Sequence, residues 1–413
     1  SSHYIPLWMK AKQELYPKII GKNGLSVDSP SPHYPASLEL DKSAFRALMS
    51  HLKASDAVHT VIMVQVENES GAWDTIRDYS PTAQAIFEQP VPAQLLGALG
   101  LSAKSGGNWT AVFGKDADEF FHAWFVARYV GQVAAAGKEA YALPMYANAA
   151  LRDPISPGPA GTYESGGPTD NVLAIWKAAA PALDVLSPDI YQDDSARYRR
   201  VLELYARPDN PLFVPETGFS PWYAHMLFAA LDKGAVGWAP FGIDLVGGAY
   251  PIPQAGGREE DRLAPLAMNY SIVGPIMREV ARLEFEGRLQ AVAEEADSHS
   301  QAMEFGSWKA VVTYGAPRFG SATQPKGNPE PTGVALVASL GKDEFLVTGH
   351  SCRVDFQPAD PQSKAKREYL HVEEGTFENG EFKLVRVWNG DQTDWGLNLG
   401  MKPVVLRARL RTF

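Results

Sequence analysis

The spacing of apolar positions changes repeatedly along the first two-thirds of the chain. Residues 41–55 place Phe45, Leu48, Met49 and Leu52 at i, i+3, i+4 and i+7, which is one helix face. Residues 60–66 (Thr-Val-Ile-Met-Val-Gln-Val) form a β-branched apolar run, the pattern of a buried parallel strand. Residues 117–136 predict a helix with Phe120, Phe121, Trp124, Phe125 and Val133 inward and Gly137 as its stop. Strands are then predicted at 141–147, 183–191, 211–216 and 235–241, and helices at 170–180, 195–206, 221–232 and 263–284. Five strands, each followed by a helix, imply βαβ units and a parallel sheet. Polar and aromatic residues gather at the predicted strand tips: Asn68, Glu69, Asn148, Tyr191, Glu216 and Trp238. That placement suits a TIM barrel or any open α/β sheet. No Gly-rich phosphate-binding fingerprint is present.

After residue 285 the period shortens. Short strands are predicted at 308–314, 334–339, 344–348, 352–356, 367–374, 381–388 and 404–412. Asn379-Gly380 is a type I′ hairpin signal, and Arg407, Arg409 and Arg411 alternate with Leu406, Ala408 and Leu410. The expected organisation is an α/β domain over 1–285 and an all-β sandwich-like domain over 286–413. Two Gly/Pro-rich loops stand out, 152–170 just past the second strand and 318–333 inside the β-domain. The first reads as a solvated connection or as a lid over a site.

Composition narrows the chemistry. The chain has 413 residues, 45% of them apolar, and carries 38 Lys and Arg against 48 Asp and Glu, a net charge of −10. An acidic chain repels phosphates, so nucleic acid and anionic membrane are not expected partners. Ten Trp, 16 Tyr and 18 Phe are compatible with sugar binding, although most aromatics belong to cores. Cys352 is the single cysteine and reads as a small buried strand residue. It excludes an intramolecular disulfide and a Cys-based zinc site. The nine His do not cluster at ligand spacing, so neither metal nor organic cofactor is expected. No apolar run approaches the ~20 residues of a membrane-spanning helix. The opening Ser1-Ser2-His3-Tyr4 has no basic leader and looks like a mature or cut terminus. The compartment stays open, leaning to periplasmic or secreted.

Two carboxylates are singled out by position. Glu69 follows Asn68 at the tip of one apolar strand, and Glu216 ends another, followed by Thr217-Gly218. Retaining glycoside hydrolysis needs such a pair, one acid to protonate the leaving oxygen and one carboxylate to attack the anomeric carbon. A barrel can bring distant strand tips together, so the separation in sequence is no obstacle. Glu67, two residues before Glu69, is expected on the same strand face, one layer deeper and structural.

These residues carry a resemblance. Val64-Gln65-Val66-Glu67-Asn68-Glu69 resembles the Gln-Val-Glu-Asn-Glu signature of family 35 glycoside hydrolases, the β-galactosidase family of a retaining clan built on TIM barrels. Pro215-Glu216-Thr217-Gly218 resembles the nucleophile strand of its bacterial branch, which carries a C-terminal β-domain. The resemblance implies a (β/α)8 TIM barrel followed by a β-sandwich. It implies Glu69 as acid/base, Glu216 as nucleophile, and Asn68 as hydrogen-bonded to the sugar 2-hydroxyl. It implies Tyr191 as the residue orienting the nucleophile and Trp238 as the platform under the sugar. Tyr146, Asn148 and Trp73 are further substrate-binding candidates from strand tips and the first loop. The expected substrate is an oligosaccharide or polysaccharide with terminal galactose, and a homo-oligomer is left open. Another retaining clan member (arabinosidase, xylosidase) and a non-catalytic carbohydrate-binding protein are the alternatives. One departure is that only five βα units are visible where the family has eight. The expectation is that three N-terminal strands, and one wall of the sugar pocket with them, are missing from this sequence.

Overall fold

The computed structural model describes residues 5–101, 106–218, 220–243, 259–315 and 321–413. Residues 318–320 of the second predicted loop therefore lie outside the described residues. The architecture is mixed α/β with a parallel sheet, and a separate antiparallel β-domain. The chain divides into two compact units, residues 1–190 with 203–215 and residues 191–202 with 216–413.

In the first unit, strands Val64–Gln65, Met145–Ala150 and Val185–Ile190 pair in parallel, with Gln65 opposite Tyr146 and Asn148 opposite Ser187. All six residues of Val185–Ile190 are buried, as a sheet covered on both faces requires. The first strand is much shorter than its apolar run predicts. Ile62 is 78% exposed while Val61 and Met63 are only half-buried, so the run from 60 to 63 is covered on one side at most. Helix Pro35–Ser55 packs on helix Ala117–Ala140, which also packs on Leu173–Ala179. Met49 is fully buried and Phe45 half-buried, but Leu48 of the predicted face is exposed.

Gly137 is not the helix stop that its residue type suggests. The helix runs on to Ala140 and is capped at Tyr141. A Cβ at Gly137 would stand 2.2 Å from the Phe45 ring, so the glycine is there for close approach of two helices. Before the Pro35–Ser55 helix, the chain forms a short helix at Leu7–Lys10 and a hairpin of Lys18–Ile20 and Ser26–Pro30, which no strand prediction covered. Only Ile19 supplies it with a buried apolar side chain, too little for an alternation signal.

Around the Ala117–Ala140 helix lies an aromatic cluster of Phe87, Trp109, Phe121 and Phe125. His33 stacks on Phe121 at 5.3 Å between ring centroids. His33 and His122 both bury their ring nitrogens with no hydrogen-bond partner among the described residues. Burial in apolar surroundings disfavours the imidazolium, pushing His33 down to about 4 and His122 down to about 3.

In the second unit, helix Pro221–Asp232 packs against strand Leu289–Ala293 and helix Glu259–Val273. The single helix predicted over 263–284 is two. A 3₁₀ turn at Gly274–Ile276 separates Glu259–Val273 from Met277–Phe285, because Pro275 has no N–H to continue the ladder.

The β-domain is a sandwich, as the alternation predicts. A four-stranded sheet runs in the order Ser300–Phe305, Trp308–Tyr314, Cys352–Pro358, Leu397–Leu399. A six-stranded sheet runs Glu381–Trp388, Arg367–Glu378, Val404–Thr412, Glu344–His350, Val334–Gly341, Leu289–Ala293. All their pairings are antiparallel. Phe345 of one sheet meets Phe356 of the other at 4.7 Å between centroids, inside a core that includes Trp308, Val312, Leu397 and Leu406. The Asn379-Gly380 turn takes positive φ at both residues, 53° and 81°, the type I′ signature. Cys352 is fully buried, and burial raises its thiol far above the ordinary range.

Two outcomes follow from this packing. Gly137→Ala gains about 1 kcal/mol of helix propensity but forces a methyl into Phe45, an overpacking cost of about 1–3 kcal/mol. The variant should unfold at lower denaturant than wild type, and a midpoint at or above wild type would contradict the helix–helix contact. The two histidines are neutral in the native state and charge in the unfolded chain. Their contribution is fully present above the unfolded pKa of about 6.5 and is lost as pH falls towards 4 and below. The Tm should therefore decline steadily below pH 6.5, with a shallower decline for His122→Leu.

Candidate active site

The first unit holds Asn68 and Glu69 on a backbone that leaves the sheet abruptly. Val66 is buried, but Glu67 and Glu69 take left-handed φ values of 60° and 42°. Non-glycine residues rarely adopt that region, and it recurs where a site needs a side chain re-aimed. Strand alternation therefore ends at Val66, and the expected same-face relation of Glu67 and Glu69 does not apply.

Amide side chains hold this turn. Asn148, at the tip of the next strand, accepts from the Glu69 N–H at 3.1 Å and from Gln65 Nε2 at 3.2 Å. Its Nδ2 donates to Asn68 Oδ1 at 3.0 Å and to Asp189 Oδ2 at 2.7 Å. Both its donors and both its lone-pair directions are thereby used inside the protein, which makes it a clamp. Gln65 Nε2 also donates to Asn68 Oδ1 and to the Glu67 carbonyl, both at 2.9 Å, while Tyr146 donates its hydroxyl to Gln65 Oε1 at 2.8 Å. Four residues named from sequence thus share one network: Asn68, Glu69, Tyr146 and Asn148. Gln65 and Asp189 belong to it as well and were not singled out from sequence. Trp73 stands apart from it, 51% exposed on the following loop.

A cavity of about 180 Å³ opens beside the turn, lined by Met9, Asp41, Glu67, Asn68, Val126 and Tyr129 among others. Glu67 faces this cavity, so it keeps some solvent exposure while protein crowds it. That crowding, and then the nearby Asp41 charge, push its carboxyl up to about 7. Burial raises Asp41 too, against the hydroxyl of Tyr129, which donates to it. Glu67 is therefore not the deep structural residue expected from its strand position.

Loop 152–170 is packed rather than solvated over its second half. Arg152 and Asp170 close it through two hydrogen bonds of 2.7 Å, and Ala72 and Ser165 form a two-way backbone bridge. The bridge brings Glu164 near Glu69. Burial first, and then the Glu69 charge, push the Glu164 carboxyl up to about 8, so it is mostly protonated at pH 7. Sequence reasoning missed Glu164, because a Gly/Pro-rich loop carries no periodicity from which to infer burial.

The second unit holds the other predicted residues. Glu216 and Thr217 form a two-residue strand. Tyr191 donates its hydroxyl to Glu216 Oε2 at 2.8 Å, and Tyr223 donates to the Tyr191 carbonyl at 2.6 Å. Behind them, Trp238 Nε1 donates to the Tyr198 hydroxyl at 2.9 Å, and that hydroxyl lies 3.2 Å from Thr217 Oγ1. Trp238 is only 8% exposed, which leaves little of its ring for a sugar to stack on.

Comparisons with known proteins locate the chain only in part. Residues 266–400 match a family described as "Domain of unknown function (DUF5597)", which covers the β-domain short of its last strand and part of the helices before it. No curated protein matches the chain. Among solved structures, the chain is similar to a GH39 β-xylosidase from Caulobacter crescentus, with 14% identity, a TM-score of 0.34, 90% of this chain covered and 72% of that one. It is also similar to an α-fucosidase from Thermotoga maritima, with 12% identity, a TM-score of 0.21 and coverage of 68% and 67%. Likenesses this slight leave the activity to be argued from the chain's own residues.

Proposed function

We propose that the chain is a retaining exo-glycosidase that removes terminal β-linked galactose from an oligosaccharide or polysaccharide. Glu216 is the nucleophile and Glu69 the acid/base. The observation that carries this reading is the Tyr191–Glu216 hydrogen bond. A carboxylate must present one oxygen to an anomeric carbon, and a hydroxyl donor fixes the plane in which it does so. Support comes from the left-handed backbone at Glu67 and Glu69 and from the Gln65 and Asn148 amides, whose six hydrogen bonds include two to Asn68 Oδ1 and one from the Glu69 N–H.

The reaction needs two displacements. Glu216 attacks C1 while Glu69 protonates the departing oxygen, giving a galactosyl-Glu216 ester and the free aglycone. Glu69 then takes a proton from water as the water attacks C1, and Glu216 leaves as carboxylate. Retention requires the two carboxyl groups to act on one sugar from about 5–5.5 Å apart. Asn68 donates to the 2-hydroxyl, a bond that strengthens as the oxocarbenium character grows. Glu164 stays neutral beside Glu69 and so adds no second negative charge to the acid.

Glu216→Ala should abolish turnover of nitrophenyl β-galactoside, and azide should restore it with an inverted azide product. Near-native activity in that variant would refute the assignment. Glu69→Ala should lose about 10²–10⁴-fold on substrates with poor leaving groups and far less on nitrophenyl ones, which need no protonation. A panel of nitrophenyl arabinosides, xylosides and galactosides settles which glycone is preferred, and inertness on all of them would favour a binding protein.

Tyr191→Phe should lower kcat with little change in KM, because the hydroxyl orients the nucleophile rather than the substrate. Glu164→Gln tests the neutral acid through stability. The folded pKa is raised above the unfolded 4.5, so wild type accumulates a penalty between pH 4.5 and about 8. The Tm of Glu164→Gln should equal wild type near pH 4 and exceed it increasingly towards pH 8.

A further inference from the structure

The β-sandwich carries a cleft of about 380 Å³ that the proposed hydrolysis does not use. Its size falls in the range of about 300–1,000 Å³ typical of small-ligand pockets. Its polar lining is Asn328, Ser351, Arg386, Gln392, Asn398 and Lys402, and Trp388, Met401 and Val404 are apolar lining residues beside Gly400. No carboxylate is among its lining residues, although Asp and Glu outnumber Lys and Arg in the chain.

The wall is built to present donors. Asn398 is 5% exposed, and its Oδ1 accepts from Arg353 Nε at 2.7 Å. That contact fixes the amide orientation, because a guanidinium can only donate. Asn398 Nδ2 is thereby left as a buried donor with no partner among the described residues. An unpaired buried donor carries a desolvation penalty that an acceptor from a ligand would remove. Lys402 is exposed and enters no ion pair among the described residues. Arg386 Nε pairs with Glu374 at 2.7 Å, which holds the guanidinium at the rim with further N–H groups in reserve. Trp388 donates to the same Glu374 oxygen at 2.7 Å, so cation and indole share one anchor.

Acceptors are scarce and placed deliberately. Asn328 spends its Nδ2 hydrogens on Glu294 Oε2 at 2.7 Å and on the Ser351 carbonyl at 3.1 Å. Its carbonyl oxygen therefore remains to accept from a hydroxyl. Ser351 is held at a φ of 55°, the left-handed region that non-glycine residues adopt at a cost and that gathers at binding sites.

We propose that this cleft binds a single-ring sugar acid, a hexuronate, as an accessory site of the β-domain. The carboxylate meets Lys402 and Arg386, ring hydroxyls meet Asn398 and Asn328, and the apolar ring face lies on Met401 and Val404. The attraction is local, since the chain as a whole repels anions, and it weakens with added salt. The site owes nothing to hydrolysis, and its test does not use turnover.

Galacturonate titrated into the full chain by calorimetry should bind with a Kd of about 1 mM, ordinary for one ring held by a few polar contacts. Lys402→Ala should weaken binding at least about fivefold, the share of one charge-assisted contact, and Lys402→Glu should abolish it. Lys402 is a surface side chain, so both variants should keep the wild-type Tm and the wild-type rate on nitrophenyl galactoside. Galactose, which lacks the carboxylate, should bind at least about tenfold more weakly, and inorganic sulfate, which lacks the ring, likewise. The proposal is overturned if galacturonate does not bind, if Lys402→Glu binds it as wild type does, or if galactose or sulfate matches it. Loss of turnover in Glu216→Ala with galacturonate binding intact would separate this site from the catalytic one.

Discussion

The sharp exit of the backbone after Val66 is the constraint on which the first half of the candidate site depends. Two glutamates in left-handed conformation cost about 1–3 kcal/mol each. A relaxed strand would point Glu67 and Glu69 to one side and leave Asn68 on the other. The turn instead lets Glu67 open into the cavity, while the Glu69 N–H reaches Asn148. Net hydrogen-bond contributions of about 1 kcal/mol each, summed over the amide network, are enough to hold it. Asn148 can do this because parallel register sets its strand beside Val64–Gln65, with Tyr146 opposite Gln65. The sheet register is thus the origin of the site geometry, and the side-chain network transmits it.

Electrostatics follows from the same crowding. The acidic chain crowds carboxyls together, Glu164 in a buried loop and Glu67 beside the cavity, and it lowers the cost by keeping some of them neutral. Glu164 and Glu67 are pushed up to about 8 and about 7, in each case by burial first and a neighbouring carboxylate second. A neutral carboxyl is a donor as well as an acceptor, so it can sit beside a charged one without repulsion. The histidines of the aromatic cluster follow the mirror rule and stay neutral by refusing a proton.

Sequence pattern carried the sandwich well and the site only partly. Strand Val404–Thr412 alternates over 406–411 because one face is wet, so Arg407 and Arg409 against Leu406 and Ala408 could be read directly. The parallel strands were located, but their lengths were not: Val64–Gln65 is two residues within a seven-residue apolar run. Hydrophobicity records what a run could bury, and Ile62 shows that not all of it is covered. Asn68, Glu69 and Glu216 were legible as polar residues ending apolar runs. Gln65 was not, because a glutamine within a strand reads as an outward residue. Gly137 misled for a related reason: its residue type signals a helix end, whereas its role depends on Phe45, 92 positions earlier in the chain.

The two kinds of site also differ in the sign of what they lack. The network around Asn68 and Glu69 is rich in carboxylates and is satisfied internally by amides, which in the proposed reading suits a neutral sugar whose hydroxyls can donate. The sandwich cleft has spare donors and no carboxylate on its wall, so it favours a ligand that brings acceptors and charge. Exchanging the ligands would leave a buried donor unpaired in one place and set carboxylates against each other in the other. Each of those mismatches costs more than a correct hydrogen bond gains. In the proposed reading, a chain with both sites sorts neutral from acidic sugars by penalty rather than by extra affinity.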